Sequence, residues 1–380
     1  MFFNWLLSLL KGAKAPETRL FLKNILHKSP NWLFEAAACI ASQYNNDLES
    51  IIENHNRFGM TLEEMTETLR KYSRYREKVL SEIMPIYKEY PGLEKYFIDA
   101  KFNPEMNNPI AISITMYFGE SLSYTFDQTE VDEIINDFIS DIINEFSDQK
   151  DNVLTEIKNI NDVMNHLNKI DMEDASKMQL VNLYYNRYDF IKELASLLAR
   201  CAPICEKHYS IMKEDFDKAL KLLNKANNLN ELFSSYSFIN VNLSDNFEIY
   251  PNIFCFNGMS MIEGKDHFIA YIGIYFFDYM ERKTKNRFND NQIVGDLKAL
   301  GDGTRLKMIH LLAKNKMYVQ ELAGALELTP ATISHHINVL LSSELIIITL
   351  DTDNPKKIYY KANEDKITSL GETIKSLINP

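Results

Sequence analysis

The stretch Leu328–Leu341, LTPATISHHINVLL, has a marked start and two faces. Thr329 stands where a helix N-cap belongs, with Pro330 at the first helical position, where its fixed φ and missing N–H cost nothing. At about 100° per residue, Ile333, Ile337, Leu340 and Leu341 fall together and must face a core. Ala331, His335, Asn338 and Ser342 centre the opposite face, with Thr332 and Ser334 on its flanks. The stretch contains no Lys or Arg.

Working outward, QIVGDLKALGDGTRLKMIHLLAKN reads as two helices broken at Gly301-Asp302-Gly303, and YVQELAGAL as a short third, with Ala323 placed where a following helix can approach closely. The fourth helix begins at Thr329. Beyond it, LIIITL (Leu345 to Leu350) is a strand, DTDNP a turn, KKIYYKA the returning strand and EDKITSLGETIKSL a closing helix. Helix–turn–helix followed by a β-hairpin is the winged-helix order.

A polar face of short side chains suits base edges. Thr and Ser hydroxyls bond donors or acceptors, and Ala or Thr methyls can touch thymine. Free N–H groups at the helix start offer phosphate a partner without a cationic side chain. Fixed charge is expected from Lys356 and Lys357 on the hairpin, then Lys314 and Lys316, with Arg282, Lys283, Lys285 and Arg287 outside the domain. His336 lies nearer the core edge, half-buried. Residues 292–380 carry 10 Lys/Arg against 10 Asp/Glu, so any DNA affinity is expected to be modest and strongly salt-dependent.

Together LKALGDGTRLKMIHLL, YVQELAGALELTPATISHHINVL and DTDNPKKIYYKA resemble the ArsR family of winged-helix bacterial repressors, over about 85 residues. The resemblance implies that Thr329, Ala331, Thr332, Ser334 and His335 read DNA and that Lys356 and Lys357 are wing contacts. It implies a homodimer built from the first and last helices of this domain, and a structural role for Asp302 and Arg305. Two features depart from the family. Its best-known members bind metal through a Cys-x-Cys pair on the third helix, where this chain has QELAGAL and no cysteine after Cys255. The chain also puts nearly 290 residues before the winged helix. That part resembles the uncharacterised helical N-terminal domain of longer ArsR-type regulators, through LLSLLKGAKAPETRLF and the strand-rich segment before the junction.

The remainder reads as mainly α. Apolar residues recur at three- and four-residue spacings to about Leu232, as in DEIINDFISDIINEF, and Pro85, Pro91 and Pro104 are expected to separate helices. From 235 to 276 short alternating runs predict a few strands. The polar, basic ERKTKNRFND (Glu281 to Asp290) marks a junction, giving a helical regulatory or dimerisation domain at 1–288 and a winged helix at 289–380. A formal charge of −12 excludes a protein coated in basic surface, and four scattered cysteines exclude a disulfide framework. No run reaches the roughly 18 apolar residues of a membrane span, and MFFNWLLSLLKG reads as a packed helix, with an interfacial anchor as the alternative, rather than a signal, so a cytoplasmic protein is expected.

Other candidates compete with plainer readings. Cys201, Cys205 and His208 share one helix face, as a soft-metal site or as core. Tyr184, Tyr185, Tyr188 and Phe190 line a pocket or fill the core. The acidic helix from Glu130 to Glu145 is a cation site or a solvated face. No GxGxxG, P-loop, HExxH or GxSxG occurs, so no catalytic residue, metal or cofactor is expected. The sequence therefore predicts a homodimeric repressor whose two fourth helices enter successive major grooves of an inverted repeat in double-stranded DNA. A small-molecule or protein effector acts on its N-terminal domain. The competing readings are a winged helix that docks protein instead of DNA, and an enzyme within the helical part.

Overall fold

The computed structural model describes residues 25–44, 47–53, 55–58, 60–98, 109–118, 126–146, 157–170, 172–225, 239–240, 247–263, 268–285, 290–351 and 354–376. The readings made on residues 1–12 and on Pro104 lie outside them. A two-residue strand, β1 (Ile25–Leu26), precedes ten helices among these residues: α1 (Trp32–Ala41), α2 (Asp47–Glu53), α3 (Leu62–Tyr87), α4 (Glu94–Phe97), α5 (Ile110–Thr115), α6 (Gln128–Phe146), α7 (Ile160–Leu167), α8 (Asp174–Tyr185), α9 (Arg187–His208) and α10 (Lys213–Lys225). Then follow β2 (Ile239–Asn240), β3 (Phe247–Asn252), β4 (Met259–Glu263), β5 (Phe268–Gly273) and α11 (Phe276–Lys285). The C-terminal part comprises α12 (Asp290–Leu300), α13 (Gly303–Lys314), α14 (Val319–Leu326), α15 (Pro330–Ser342), β6 (Ile346–Asp351), β7 (Asn354–Ala362) and α16 (Glu364–Ser376). The fold is mainly α, as the sequence predicts.

The helices form where caps and periodicity agree. Thr61 and Glu64 make a reciprocal capping box at the start of α3, and Met65, Leu69, Tyr72, Tyr75, Val79, Ile83 and Tyr87 form its buried stripe. The Asn31 side chain accepts N–H bonds from Leu33 and Phe34 to start α1, and its run of small residues (Ala36, Ala37, Ala38, Cys39) lets α9 and α3 close on it. Pro85 does not separate helices. It lies within the last turn of α3, which continues through it to Tyr87, and Pro203 is likewise carried inside α9. The segment Glu281 to Asp290 is helical over its first half, as the end of α11.

The strand-rich segment builds a four-stranded sheet in the order β1-β3-β5-β4, with β1, β3 and β5 parallel and β4 antiparallel. One face meets the helices through a run of stacked rings, His27 on Tyr250, Tyr250 on Tyr271 and Tyr271 on Phe34, at centroid separations of 3.9, 5.2 and 4.1 Å. The wholly buried Glu35 of α1 accepts the amides of Ile253 and Phe254 at 2.6 and 3.0 Å, pinning the loop after β3. That loop crosses Gly273 so closely that a Cβ there would lie 2.2 Å from the Cys255 carbonyl oxygen. Gly273 therefore allows the crossing.

Two apolar clusters result. One holds α1, α3, α5, α6, α9 and the ring-bearing sheet face. The second includes Ile249, Met259, Ala270 and Ile272 from the other sheet face, then Phe276, Phe277 and Ile293, and continues into the interior of α13–α15 and β6. It draws on both sides of residue 288. In the C-terminal part β6 pairs with β7 antiparallel and with β2 in parallel, giving a three-stranded sheet in the order β2-β6-β7.

Candidate nucleic-acid interface

The start of α13 is fixed by Asp302, whose carboxylate caps the helix by accepting the Arg305 amide at 2.9 Å. That bond, above all, holds the Asp302 carboxyl below its usual range. Arg305 turns back to cap the helix before it, donating to the carbonyls of Ala299 at 2.5 Å and Lys298 at 3.1 Å. Asp302 and Arg305 thus set the angle between α12 and α13, a structural role. Helix α14 ends at Glu327, a left-handed residue at φ 55°. Thr329 then caps α15, accepting the Thr332 amide at 3.2 Å, with Pro330 in the first turn. Ala323 is buried in the cluster that α14 and α15 share.

Helix α15 buries Ile333, Ile337, Leu340 and Leu341 and turns a polar surface outward. Thr329, Thr332 and His335 are exposed, and the two threonine hydroxyls stand 2.8 Å apart at the helix start. Asn338 is half-buried, with its Oδ1 enclosed and lacking a hydrogen-bond partner. Ser342 donates to the Val339 carbonyl at 2.8 Å. Ser334 departs from the expectation. It is 3% exposed, so it belongs to the interior and not to the outward face. The physical reason is angular, since seven residues bring the helix almost back to the same direction and Ser334 follows buried Leu341. Ala331 lies in the first turn, its side chain outside the described ones.

His336 also points inward. Its side chain is 13% exposed and its Nδ1 lies 3.8 Å from Asp302 Oδ1. Burial lowers its pKa, against the pull of the Asp302 carboxylate. It buttresses the junction of α12, α13 and α15 rather than lying open to a phosphate.

The basic groups sit on the hairpin side. Met317 bridges to Tyr360 through two backbone bonds of 3.0 and 2.8 Å, bringing the end of the α13–α14 loop against β7. Lys316 consequently lies over the Tyr359 ring, 5.1 Å from its centroid, and Tyr318 meets the same ring edge-on. Lys314 is exposed nearby. Lys356 and Lys357 fall within β7, but their side chains are outside the described ones, as are those of Lys283, Lys285 and Arg287. Arg282 is engaged by Asp278 at 2.9 Å and Glu64 at 3.4 Å, which removes it from the expected basic set.

Sequence reasoning missed a buried ion pair. Lys366 of α16 and Asp296 of α12 are 2.7 Å apart, with side chains 8% and 1% exposed. Neither residue stands out in its own helix, because the pairing spans seventy positions. Asn363 was also missed. Its amide donates to the Glu344 carbonyl at 2.9 Å and its oxygen caps α16 through the Lys366 amide at 3.2 Å.

The remaining candidates resolve by position. Cys201 and Cys205 are wholly buried, and burial raises both thiol pKa values, that of Cys201 to about 12. His208 is held by Glu82 at 2.8 Å, and among the described residues no three His, Cys, Asp or Glu side chains are grouped to hold a metal ion. Tyr184 and Phe190 are core. Tyr188 and Tyr184 enclose the Arg187 guanidinium, each ring centroid at 4.4 Å, while Asp132 accepts from Arg187 and Tyr188. Tyr185 is 77% exposed. Helix α6 buries Val131, Ile135, Phe138, Ile139, Ile142 and Ile143 and turns acidic residues outward.

Two helices joined by a short turn, the second presenting a polar face, followed by a hairpin and a closing helix, define a winged helix-turn-helix. It is a domain of the class found in DNA-binding transcription regulators. Residues 302–347 match the family model described as bacterial regulatory protein, arsR family, from the Asp302 cap to the second residue of β6. No curated protein and no solved structure matches the chain. Among the described residues no helix is long and apolar enough to cross a membrane.

Proposed function

We propose that the protein is a sequence-specific, homodimeric repressor of transcription. Its winged helix grips an inverted repeat in double-stranded DNA, and its helical N-terminal part receives the signal. The carrying observation is the outward set of Thr329, Thr332 and His335 on the N-terminal half of α15, inside the segment that matches the arsR family. These side chains read base edges. Orphan amides of the helix start, together with Lys314, Lys316, Lys356 and Lys357, hold the backbone phosphates. Dimerisation is supported by apolar side chains left in solvent on the first and last helices of this domain. Val294 is 49%, Leu297 43% and Ile374 38% exposed, on helices clamped together by the Asp296–Lys366 pair.

One observation favours a second reading, in which this face docks protein. Helix α15 carries no Lys or Arg, and the domain is electrically neutral. The test is retention of fragmented DNA from the organism that encodes the chain, sequenced at two salt concentrations, with the wild type and with the K356E/K357E variant. Enrichment of an inverted repeat, lost in the variant together with about two units of salt slope, is the expected result. Retention at background level by the wild type at both salts would refute DNA binding and favour protein docking.

A further inference from the structure

The wing of this domain is not held by its own hairpin alone. Strand β6 has β7 on one edge, and on the other edge it takes β2, a strand from the segment before residue 288. The pairing is parallel, with Ile239 opposite Ile348 and Asn240 opposite Thr349. Ile346 and Ile348 of β6 are buried in the cluster that also holds Ile249, Ala270 and Ile272 of the four-stranded sheet. The wing is therefore joined to the N-terminal part twice, by backbone pairing along one edge and by a continuous apolar interior.

A strand of two residues is a weak fastening. Pairing this short contributes few hydrogen bonds, each of small net worth. A rearrangement of the N-terminal part can break it without unfolding either part. Released, the wing keeps one strand partner and must be ordered again when it meets DNA, which lowers affinity.

We propose that β2 is a releasable clamp through which the N-terminal part sets the affinity of the winged helix for DNA. The clamp engaged holds the wing ready, and the clamp released weakens binding. The proposal rests on the DNA-binding reading above. It adds the physical link by which a signal received before residue 288 reaches the wing.

Two full-length variants test it. In the first, N240C/T349C, mild oxidation is expected to link the two engineered cysteines, because adjacent strands place opposed Cα atoms within disulfide range. The second, I239P/N240P, removes both β2 amide donors. Binding is measured by fluorescence anisotropy with a labelled 30-base-pair duplex of mixed sequence at low salt, alongside thermal melting of each protein. The oxidised disulfide form is expected to bind like the wild type, and the proline variant about 5-fold or more weakly, the lower range of couplings between sites. Absence of the engineered disulfide would overturn the pairing. Equal affinity of the proline variant and the wild type, with the disulfide formed, would overturn the coupling while leaving DNA binding intact. No binding by any form, with disulfide formation as expected, would place the failure in the DNA-binding reading and overturn the clamp with it.

Discussion

Glu35 offers a quantitative test of the N-terminal architecture. Its carboxyl is wholly enclosed and accepts two backbone amides from the loop after β3. Burial is the dominant influence and pushes its pKa up to about 8, while the two amides oppose the rise. The folded protein therefore keeps this proton up to about pH 8, whereas the unfolded chain releases it near the ordinary value of 4.5. Between these values the fold binds the extra proton, so stability is highest below the unfolded pKa and falls as pH rises. The slope approaches 1.4 kcal/mol per pH unit, and over the whole interval the loss is roughly 5 kcal/mol. Glu35→Gln removes the titration. It also turns an amide group toward one of the two N–H donors, a cost of roughly 1–3 kcal/mol that does not vary with pH. Urea denaturation of both proteins at pH 5.5, 6.5, 7.5 and 8.5 separates the two effects. Wild-type stability minus that of the variant should fall steadily as pH rises, reverse sign because the loss of roughly 5 kcal/mol exceeds the cost of the glutamine, and level off above about pH 8. Parallel curves across that range would show that Glu35 does not carry its proton into the fold, and the reasoning from its burial would fail.

Three further outcomes are expected. Glu327→Gly relieves the left-handed residue at the end of α14 and should stabilise the protein by about 0.5–1 kcal/mol, read as a rise in Tm. His335→Ala should cost about 1–3 kcal/mol of discrimination between operator and mismatched duplex while leaving the salt slope of binding unchanged, since His335 is exposed on the face proposed to read bases and the proposed phosphate contacts are made elsewhere. Lys366→Met takes the ammonium partner away from the buried Asp296 and should destabilise by about 3–5 kcal/mol in chemical denaturation, and adding Asp296→Leu should restore most of that loss.

Much of the winged helix was legible because its signals are local. Thr329-Pro330 starts α15, Asp302 starts α13, and two runs rich in β-branched and aromatic residues, LIIITL and KKIYYKA, on either side of the DTDNP turn signal make the hairpin. Each needs only neighbours in sequence. The outward face of α15 was legible at its N-terminal half and misjudged at Ser334, where a flank position lies close in angle to Leu341 and is drawn into the interior. Periodicity gives a direction but not the height of what stands opposite, and a serine is small enough to be covered. The long-range features had no local signal at all. Strand β1 is two residues paired with β3 across more than two hundred positions, and the Arg282 side chain is claimed by Glu64 at a similar separation.

The absence of cationic residues from α15 follows from how the domain is tied together. Arg305 of α13 is consumed as a cap for the carbonyls of Ala299 and Lys298, and Asp302 is occupied in capping α13 and facing His336. A further cation on the inward half of α15 would meet Leu312, Leu322 and Ile333 in a closed apolar interior, where an unpaired charge costs several kcal/mol. On its outward half, a lysine would strengthen binding to any duplex, specific or not. Under the proposed function the short, uncharged Thr329, Thr332 and neighbouring positions would leave affinity to the wing and to Lys314 and Lys316. In the proposed function recognition and affinity sit on separate elements, and the strand β2 that pairs with β6 is placed to act on affinity without touching the face proposed to read sequence.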